Sequence, residues 1–282
     1  MEPNALVAVH GIGNLQRGCT PEQAAAVLAA DWQTRLADGY RAAGLGAEPV
    51  PALTVAYYAH LLTAADLEAQ GPGDEDPERL SEPEAELCAA WLRALGAPEG
   101  TDAQGRATMP FRQALHWLSA RHGVAAELLG RVGVALAREV SVYLTHPPRR
   151  RAARDRVAET IRRVRPRVVL AHSLGSVVTY EALHAHPDLE VPLLITLGSP
   201  LGLSGGLFEA LDPAPRQGRG SRPPGVGRWV NLADRGDLVA VPRRLGDRFP
   251  VDEHDETSIG RLDFHTLGSY LASGRTVTAL RG

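Results

Sequence analysis

The segment that most constrains the fold is Val169-Leu170-Ala171-His172-Ser173-Leu174-Gly175-Ser176-Val177-Val178. An apolar run ends at Ser173, and an apolar stretch with helical spacing follows it directly. Ala171 and Gly175 lie two positions before and after the serine, where larger side chains would collide with a sharply bent backbone. This pattern predicts a serine at a tight strand-to-helix turn, with the Leu174 N–H at the helix start facing a developing oxyanion. The alternative is a buried serine in an ordinary strand–loop–helix unit.

Short apolar runs on both sides of this segment predict the strands of a sheet. They are Ala5 to Val9, Leu53 to Ala59, Val168 to Ala171, Leu193 to Leu197 and Trp229 to Ala233. Because these runs are apolar throughout rather than alternating, they favour parallel strands covered by helices on both faces. Helices are predicted at Thr20 to Arg41, with Thr20 as cap, and at Arg151 to Arg165. The sequence therefore predicts an α/β fold with a mostly parallel sheet of about six strands and right-handed connections.

One block, from residue 61 to residue 148, interrupts the strand–helix alternation. Its first part, Asp66 to Glu86, is strongly acidic and predicts a solvated loop. Phe111 to Ala120 and Val124 to Leu144 instead predict amphipathic helices with broad apolar faces. These faces fit helices packed on the sheet, a cap that selects an apolar acyl group, or a contact between two subunits. We divide the chain into a core of residues 1–60 and 149–282 and a helical cap or insertion at 61–148.

A second motif, His10-Gly11-Ile12-Gly13-Asn14, follows the first predicted strand. Its two glycines let the backbone approach a ligand closely and turn N–H groups towards it. A dinucleotide fingerprint would need a third glycine at the position of Gln16, so a nucleotide site is disfavoured.

Together the two motifs resemble those of the α/β-hydrolase superfamily, in the lipase/esterase-like branch with a His-Gly-x-Gly-Asn loop and an Ala-His-Ser-Leu-Gly elbow. The run Thr196-Leu197-Gly198-Ser199-Pro200 is similar to a pocket-lining turn common in that branch. Ala171 departs from the pattern, since the elbow usually has glycine there. The resemblance implies a fold that lacks the superfamily's first two strands, because the strand before the loop begins at Ala5.

The resemblance also implies roles for particular residues. Ser173 is the expected nucleophile, and the N–H groups of Leu174 and Ile12 are the expected oxyanion hole. Gly11 and Gly13 support that hole, and the Gly13 N–H is the alternative to the Ile12 N–H as its second donor. His10 is expected to hold the loop rather than to act as the base.

A serine nucleophile needs a base and an orienting acid, which in this superfamily follow the serine in the order acid, then histidine. The run Asp234-Arg235-Gly236-Asp237-Leu238-Val239-Ala240-Val241-Pro242 is similar to the Asp-x-Val-Pro acid loops of lipases. That match favours Asp237 as the acid, while Asp234 remains an alternative that could instead cap the turn.

Four histidines follow the serine. His184 and His186 fall roughly 16–20 Å along the helix that starts at the serine, too far to reach its oxygen. His254 stands in a charged run that predicts an exposed loop. His265 opens the last helical region, in a setting loosely similar to the superfamily's His-x-x-Tyr pattern. We therefore expect His265 to be the base, with His254 as the alternative.

Composition narrows the partners and the compartment. A net charge of −3 and a pI near 6.4 give no reason to expect a nucleic-acid partner. The two cysteines form neither a metal-ligand pair nor a disulfide framework, which favours a reducing, cytoplasmic compartment. We expect no signal peptide, no integral membrane segment, and neither a metal nor an organic cofactor.

The expected function is that of a serine hydrolase that cleaves an ester or thioester through a Ser-His-Asp triad and an acyl-enzyme. The expected partner is a small-molecule acyl ester or thioester with an apolar acyl group, such as a p-nitrophenyl ester of short to medium chain. Two alternatives remain: an acyltransferase with the same triad, and a non-catalytic binding module with a hydrolase fold. A homodimer through the helical insertion is a further possibility.

Overall fold

The computed structural model describes residues 5–62, 80–97, 108–259 and 265–282. Six parallel strands form one sheet in the order β2-β1-β3-β4-β5-β6. They are β1 Leu6–Val9, β2 Leu53–Ala56, β3 Val168–His172, β4 Val191–Leu197, β5 Val226–Asp234 and β6 Glu253–Thr257. The predicted α/β class and the six-stranded, parallel sheet are confirmed.

Helices follow or separate the strands along the described chain. They are α1 Pro21–Ala42, α2 Ala59–Leu62, α3 Glu82–Ala94, α4 Thr108–His122, α5 Ala126–Thr145, α6 Pro147–Val164, α7 Leu174–Ala185, α8 Leu267–Leu271 and α9 Gly274–Arg281. A short 3₁₀ turn spans Leu245–Asp247. Helix α1 begins as its sequence predicts, because the Thr20 hydroxyl accepts a hydrogen bond from the Gln23 N–H at 3.3 Å.

Alternate strand residues supply two hydrophobic cores, one on each face of the sheet. Val7 and Val9 point into a core shared with α3 to α7, whereas Leu6 and Ala8 point into one shared with α1, α8 and α9. Both sets are buried, which explains why the β1 sequence is apolar throughout. A parallel sheet with helices on both faces is compatible with the α/β-hydrolase fold.

The strand order changes direction beside β1. The chain passes from β1 to β2 on one side of it and then returns to β3 on the other side. At such a switch point the connections leave in opposite directions, and ligands of open α/β sheets bind at the carboxyl ends of the strands there. The loop His10–Asn14 follows β1, and Ser173 follows β3, so both motifs lie at this switch point.

The described part of the 61–148 block is helical and shares the core of the sheet. Leu118 of α4 and Leu129, Leu136 and Val140 of α5 are buried in the same cluster as Val9. The apolar faces of these two helices are therefore largely covered by the rest of the protein. No helix among the described residues has both the length and the apolar character needed to cross a bilayer.

Two predictions about local structure are wrong. His254 lies in β6 rather than in a loop, because an edge strand paired only with β5 tolerates a charged sequence. The predicted loop Asp66 to Glu86 extends too far: α3 begins at Glu82, and Glu84 accepts the Ser81 N–H at 2.7 Å, as in a capping box. Residues 63–79 of that prediction lie outside the described residues.

Candidate active site

Ser173 sits at a strained turn between β3 and α7. Its φ and ψ angles are 53° and −131°, a conformation that costs a non-glycine residue about 1–3 kcal/mol. Gly175 makes the turn possible, because a Cβ there would lie 2.3 Å from the His10 carbonyl oxygen. The strained serine and the close approach of the neighbouring loop are those expected for a nucleophile elbow.

The Ser173 side chain is enclosed. Its residue is 0% exposed, and within the described chain its Oγ has no hydrogen-bond partner. Gly11 covers it so closely that a Cβ on Gly11 would lie 2.5 Å from the Ser173 Cβ and 3.1 Å from its Oγ. The loop after β1 therefore lies directly against the serine oxygen, as the sequence predicts for an oxyanion loop.

Three carbonyl groups of this loop, those of His10, Gly11 and Ile12, accept hydrogen bonds within the protein. The His10 carbonyl accepts the Tyr58 hydroxyl at 2.8 Å. The Gly11 carbonyl accepts His10 Nδ1 at 2.8 Å and Asn14 Nδ2 at 3.1 Å. Asn14 Nδ2 also donates to the Ile12 carbonyl at 2.9 Å. With these three carbonyls bonded, backbone N–H groups are left to face a ligand at this part of the loop.

Of these N–H groups, Gly13 is occupied and Ile12 is free. The Gly13 N–H donates to Glu139 Oε1 of α5 at 2.6 Å. The N–H groups of Ile12 and Leu174 have no acceptor among the described residues. Between the two candidates that the sequence leaves open for the second donor, the geometry favours Ile12.

His10 holds the loop as a neutral imidazole. Its Nε2 accepts the Tyr58 N–H at 3.0 Å, so Nδ1 must carry the proton that it donates to the Gly11 carbonyl. Burial lowers the pKa of His10 to about 4, which keeps the ring neutral near pH 7. Its contacts are those of a structural residue.

Asp237 lies at the centre of a hydrogen-bond network in the loop after β5. Its Oδ1 accepts the N–H groups of Val239 and Ala240 at 2.8 and 3.2 Å, and its Oδ2 accepts the Tyr270 hydroxyl at 2.7 Å. His265 Nδ1 lies 2.9 Å from both carboxylate oxygens. The structure therefore brings Asp237 and His265 together.

Asp234 has a different set of partners. Its side chain accepts the N–H groups of Gly236 and Ile259, the latter at 2.6 Å. These bonds fix the turn and tie it to the segment after β6, as expected for a capping aspartate. No hydrogen bond joins Asp234 to a histidine in the part of the chain that the structure describes.

His265 faces the acid with one nitrogen and leaves the other free. Since Nδ1 donates to Asp237, Nε2 is the acceptor, and it is buried without a partner among the described residues. No hydrogen bond joins it to Ser173 Oγ, which is also unpartnered. Catalytic hydrogen bonds of ligand-free enzymes are often long and tighten only when substrate binds.

The serine and the Asp237–His265 pair are linked through close neighbours. The ring centroid of His172 lies 4.6 Å from that of His265, and its Nδ1 would lie 2.9 Å from a Cβ on Gly11. Burial lowers the pKa of His172 well below its usual value. His172 is therefore a neutral ring packed between the oxyanion loop and the predicted base.

Gly198, in the Thr-Leu-Gly-Ser-Pro run, makes room for the same pair. Its φ is 55°, and a Cβ there would lie 2.5 Å from Asp237 Oδ2 and 3.2 Å from His265 Cε1. The next residue, Ser199, contacts the elbow helix, since its Oγ lies 2.6 Å from that of Ser176. The run contacts both the acid–base pair and the helix that follows the serine.

The other histidines after the serine lie elsewhere. His184 and His186 are at the far end of α7, where His186 pairs with Asp155 at 3.1 Å. His254 Nδ1 lies 3.0 Å from Asn231 Nδ2, on the edge strand. None of these three contacts Asp237 in the described structure.

Three contributing residues were missed by the sequence analysis: Tyr270, Trp91 and Glu139. Tyr270 lies five residues after His265, rather than the three of the His-x-x-Tyr pattern. Its hydroxyl nevertheless donates to Asp237 and accepts the Asp234 N–H at 3.0 Å. Burial raises the pKa of Tyr270 well above 10, so it remains a donor. Trp91 Nε1 of α3 donates to the Leu238 carbonyl at 2.7 Å, next to Asp237.

A cavity of about 350 Å³ opens beside His265, between α1, α8 and the loop after β1. Its polar side chains are those of Asn14, Asp31, Arg35, His172, His265, Thr266 and Ser269, and its apolar lining includes Ile12, Trp32 and Leu267. The volume is at the small end of the range for small-molecule sites, which is roughly 300–1,000 Å³. The predicted base therefore borders a cavity of the size of a small substrate.

No group of three His, Cys, Asp or Glu side chains in the described ranges is arranged to hold a metal ion. The chain matches no family model, and neither the search of curated proteins nor that of solved structures returned a match.

Proposed function

We propose that this protein is a serine hydrolase that cleaves a small ester or thioester through an acyl-enzyme. In this proposal Ser173 is the nucleophile, His265 is the base, and Asp237 is the acid that orients His265. The Ile12 and Leu174 N–H groups form the oxyanion hole.

The observation that carries the proposal is the Asp237–His265 pair, with both carboxylate oxygens 2.9 Å from Nδ1 and with Nε2 left unpartnered. Such pairing fixes the imidazole tautomer whose Nε2 can remove a proton. Ser173 Oγ is also buried without a partner among the described residues. It belongs to the strained turn after β3, and one strand, β4, separates β3 from β5, which precedes Asp237.

In the acylation step, His265 Nε2 takes the Ser173 hydroxyl proton as Oγ attacks the substrate carbonyl carbon. Negative charge develops on the carbonyl oxygen, where the N–H groups of Ile12 and Leu174 stabilise it. His265 then gives the proton to the leaving alcohol or thiol as its bond to the carbonyl carbon breaks. The acyl group remains on Ser173 as an ester.

Deacylation repeats the sequence with water. His265 Nε2 takes a proton from water, the hydroxide oxygen attacks the acyl carbon, and the same N–H groups stabilise the oxyanion. Collapse releases the carboxylic acid and returns the proton to Ser173 Oγ. Asp237 stabilises the imidazolium in both steps without itself being protonated.

The proposed substrate is an ester with a short to medium apolar acyl chain. The apolar faces of α4 and α5 do not offer a surface for a long acyl chain, because they are used in the core. Ile12 is partly buried beside the serine and offers apolar contact, while the cavity at His265 is small and has a largely polar lining. These features favour a compact acyl group with a polar leaving group.

The first test is labelling with a fluorophosphonate probe, followed by assays with p-nitrophenyl acetate and butyrate. We expect Ser173→Ala to abolish labelling and to lower kcat by about a thousandfold or more, since triad members act as a unit. Ser176→Ala is the matched control, one turn along α7, and should keep the label.

Other outcomes separate the alternatives. An unlabelled wild-type protein would refute the hydrolase and favour a non-catalytic binding module. A labelled protein that forms product only when an alcohol or amine acceptor is added would identify an acyltransferase. Hydrolysis that survives Ser173→Ala would reject this serine as the nucleophile.

A further inference from the structure

Glu139 is a half-buried carboxylate that the proposed mechanism does not use. It lies on α5, in the helical block, yet its Oε1 accepts the Gly13 N–H of the loop after β1 at 2.6 Å. Burial raises its pKa to about 7, and the Gly13 bond opposes that shift. Placing an acid there costs free energy, so its position calls for a reason beyond packing.

The bond fixes one particular peptide plane. The Ile12–Gly13 peptide has its N–H held by Glu139 and its carbonyl held by Asn14 Nδ2 at 2.9 Å. The preceding Gly11–Ile12 peptide has its carbonyl held by His10 and Asn14. The one remaining polar group of these two peptides is the Ile12 N–H. The hydrogen bonds to the other three polar groups of these two peptides therefore fix the direction of the Ile12 N–H.

Gly13 needs this restraint more than an ordinary residue would. Its φ is 72°, and a Cβ there would meet nothing within 4 Å, so packing does not restrict its rotation. Glycine readily adopts several backbone conformations. Without an acceptor for its N–H, the Ile12–Gly13 peptide could turn and carry the Ile12 N–H away from Ser173.

We propose that Glu139 is a positioning residue, which holds the oxyanion loop so that the Ile12 N–H points at the oxygen of the substrate carbonyl. This inference rests on the proposed hydrolase function. Either protonation state of Glu139 can serve, because a neutral carboxyl still offers a carbonyl oxygen to the Gly13 N–H. The requirement is an acceptor at this position rather than a negative charge.

The test compares Glu139→Gln, which keeps the acceptor, with Glu139→Leu, which removes it. With p-nitrophenyl acetate, Glu139→Leu should lower kcat by about tenfold to a hundredfold, somewhat less than the loss of an oxyanion donor itself. KM should stay within about twofold, since the oxyanion forms only in the transition state. Glu139→Gln should keep kcat within about threefold of the wild type. Glu127→Gln, an exposed position on the same helix, is the matched control.

Fluorophosphonate labelling of the wild type separates the two levels of the proposal. If the wild type is not labelled, the hydrolase function itself fails. If it is labelled but Glu139→Leu keeps its kcat, the positioning role is wrong and the function stands. A faster Glu139→Leu would also overturn the role, since Glu139 would then obstruct the site. Should the leucine variant not fold, Glu139→Ala makes the same comparison without filling the space.

Discussion

The sheet and the helical block at 80–145 contribute to the candidate site in different ways. The residues with a proposed chemical role lie in the loops after β1, β3 and β5, at the start of α7, and just before α8. The helical block supplies no such residue among its described positions. It supplies two hydrogen-bonding side chains instead: Trp91 Nε1 donates to the Leu238 carbonyl, and Glu139 Oε1 accepts the Gly13 N–H.

These two bonds are made to the two loops that carry the proposed acid and the proposed oxyanion donor. Leu238 follows the proposed acid Asp237, and Gly13 follows the proposed donor Ile12. The two helices that provide them are themselves tightly packed, because a Cβ on Gly133 of α5 would lie 2.7 Å from the Trp91 ring. We infer that the block supports the loops from outside, whereas the sheet places the reacting groups.

The largest expected effect on kcat comes from the loop after β5, where Asp237 and Asp234 lie in one turn and only Asp237 is the proposed acid. Asp237→Asn should lower kcat by about 10³–10⁴-fold, because the amide can no longer hold His265 in the tautomer that accepts a proton. Asp234→Asn should leave kcat within a few-fold and lower the free energy of unfolding by about 1–2 kcal/mol, since it loses part of a backbone-binding network. Steady-state kinetics and thermal unfolding of both variants check this.

The reverse result would exchange the two assignments. If Asp234→Asn abolished activity while Asp237→Asn stayed active and folded, the acid would be Asp234. If both variants only lost stability, the pair at Asp237 would be structural and the sheet would have no proposed acid.

The contrast between the regions also explains what the sequence could predict. Local sequence patterns are enough to predict a parallel α/β fold. They predict the strands β1 and β3, the helix α1, and the motifs at His10 and Ser173. The favoured Asp237 and His265 do form a hydrogen-bonded pair in the structure. Nothing about His254 alone signals an edge strand, because its neighbours are charged and only the partner strand defines its place.

The contributions of the helical block could not be predicted from local patterns. Glu139 and Gly13 are far apart in the sequence, as are Trp91 and Leu238, and each pair meets only when α5 and α3 pack on the sheet. A glutamate in an amphipathic helix is expected to face solvent, and a tryptophan is expected to pack as an apolar side chain. Tyr270 was visible as a tyrosine after His265, but its spacing did not match the pattern that would have assigned it.

The next prediction compares His10, in the loop after β1, with Glu139 of the helical block, because their pKa values are shifted in opposite directions. Burial lowers the pKa of His10 from 6.5 to about 4, so the stability that depends on neutral His10 is lost as the pH falls from 6.5 to 4. The full difference corresponds to about 3 kcal/mol in the free energy of unfolding. The Tm of the wild type should therefore fall relative to that of His10→Gln over this range. The buried His172 is present in both proteins and cancels in the comparison.

Glu139 should show the opposite slope. Its pKa is raised from 4.5 to about 7, so the folded protein binds the proton more tightly, and stability is lost as the pH rises from 4.5 to 7. The Tm of the wild type should fall relative to that of Glu139→Gln as the pH rises. Parallel curves for the wild type and either variant would show that the residue does not titrate as its burial requires.

The smallest expected effect tests whether the helical block acts on the acid loop. Trp91→Phe keeps a buried ring but removes the N–H donor to the Leu238 carbonyl, which should cost about 1–3 kcal/mol of unfolding free energy. We also expect kcat to fall by about threefold, because the loop that carries Asp237 loses a restraint. Trp117→Phe in α4 is the matched control: this partly buried ring stacks with Arg121, so its change should leave kcat unaltered. Equal kcat values for wild type and both variants, with stability lost only in Trp91→Phe, would mean that the block supports the core and not the site.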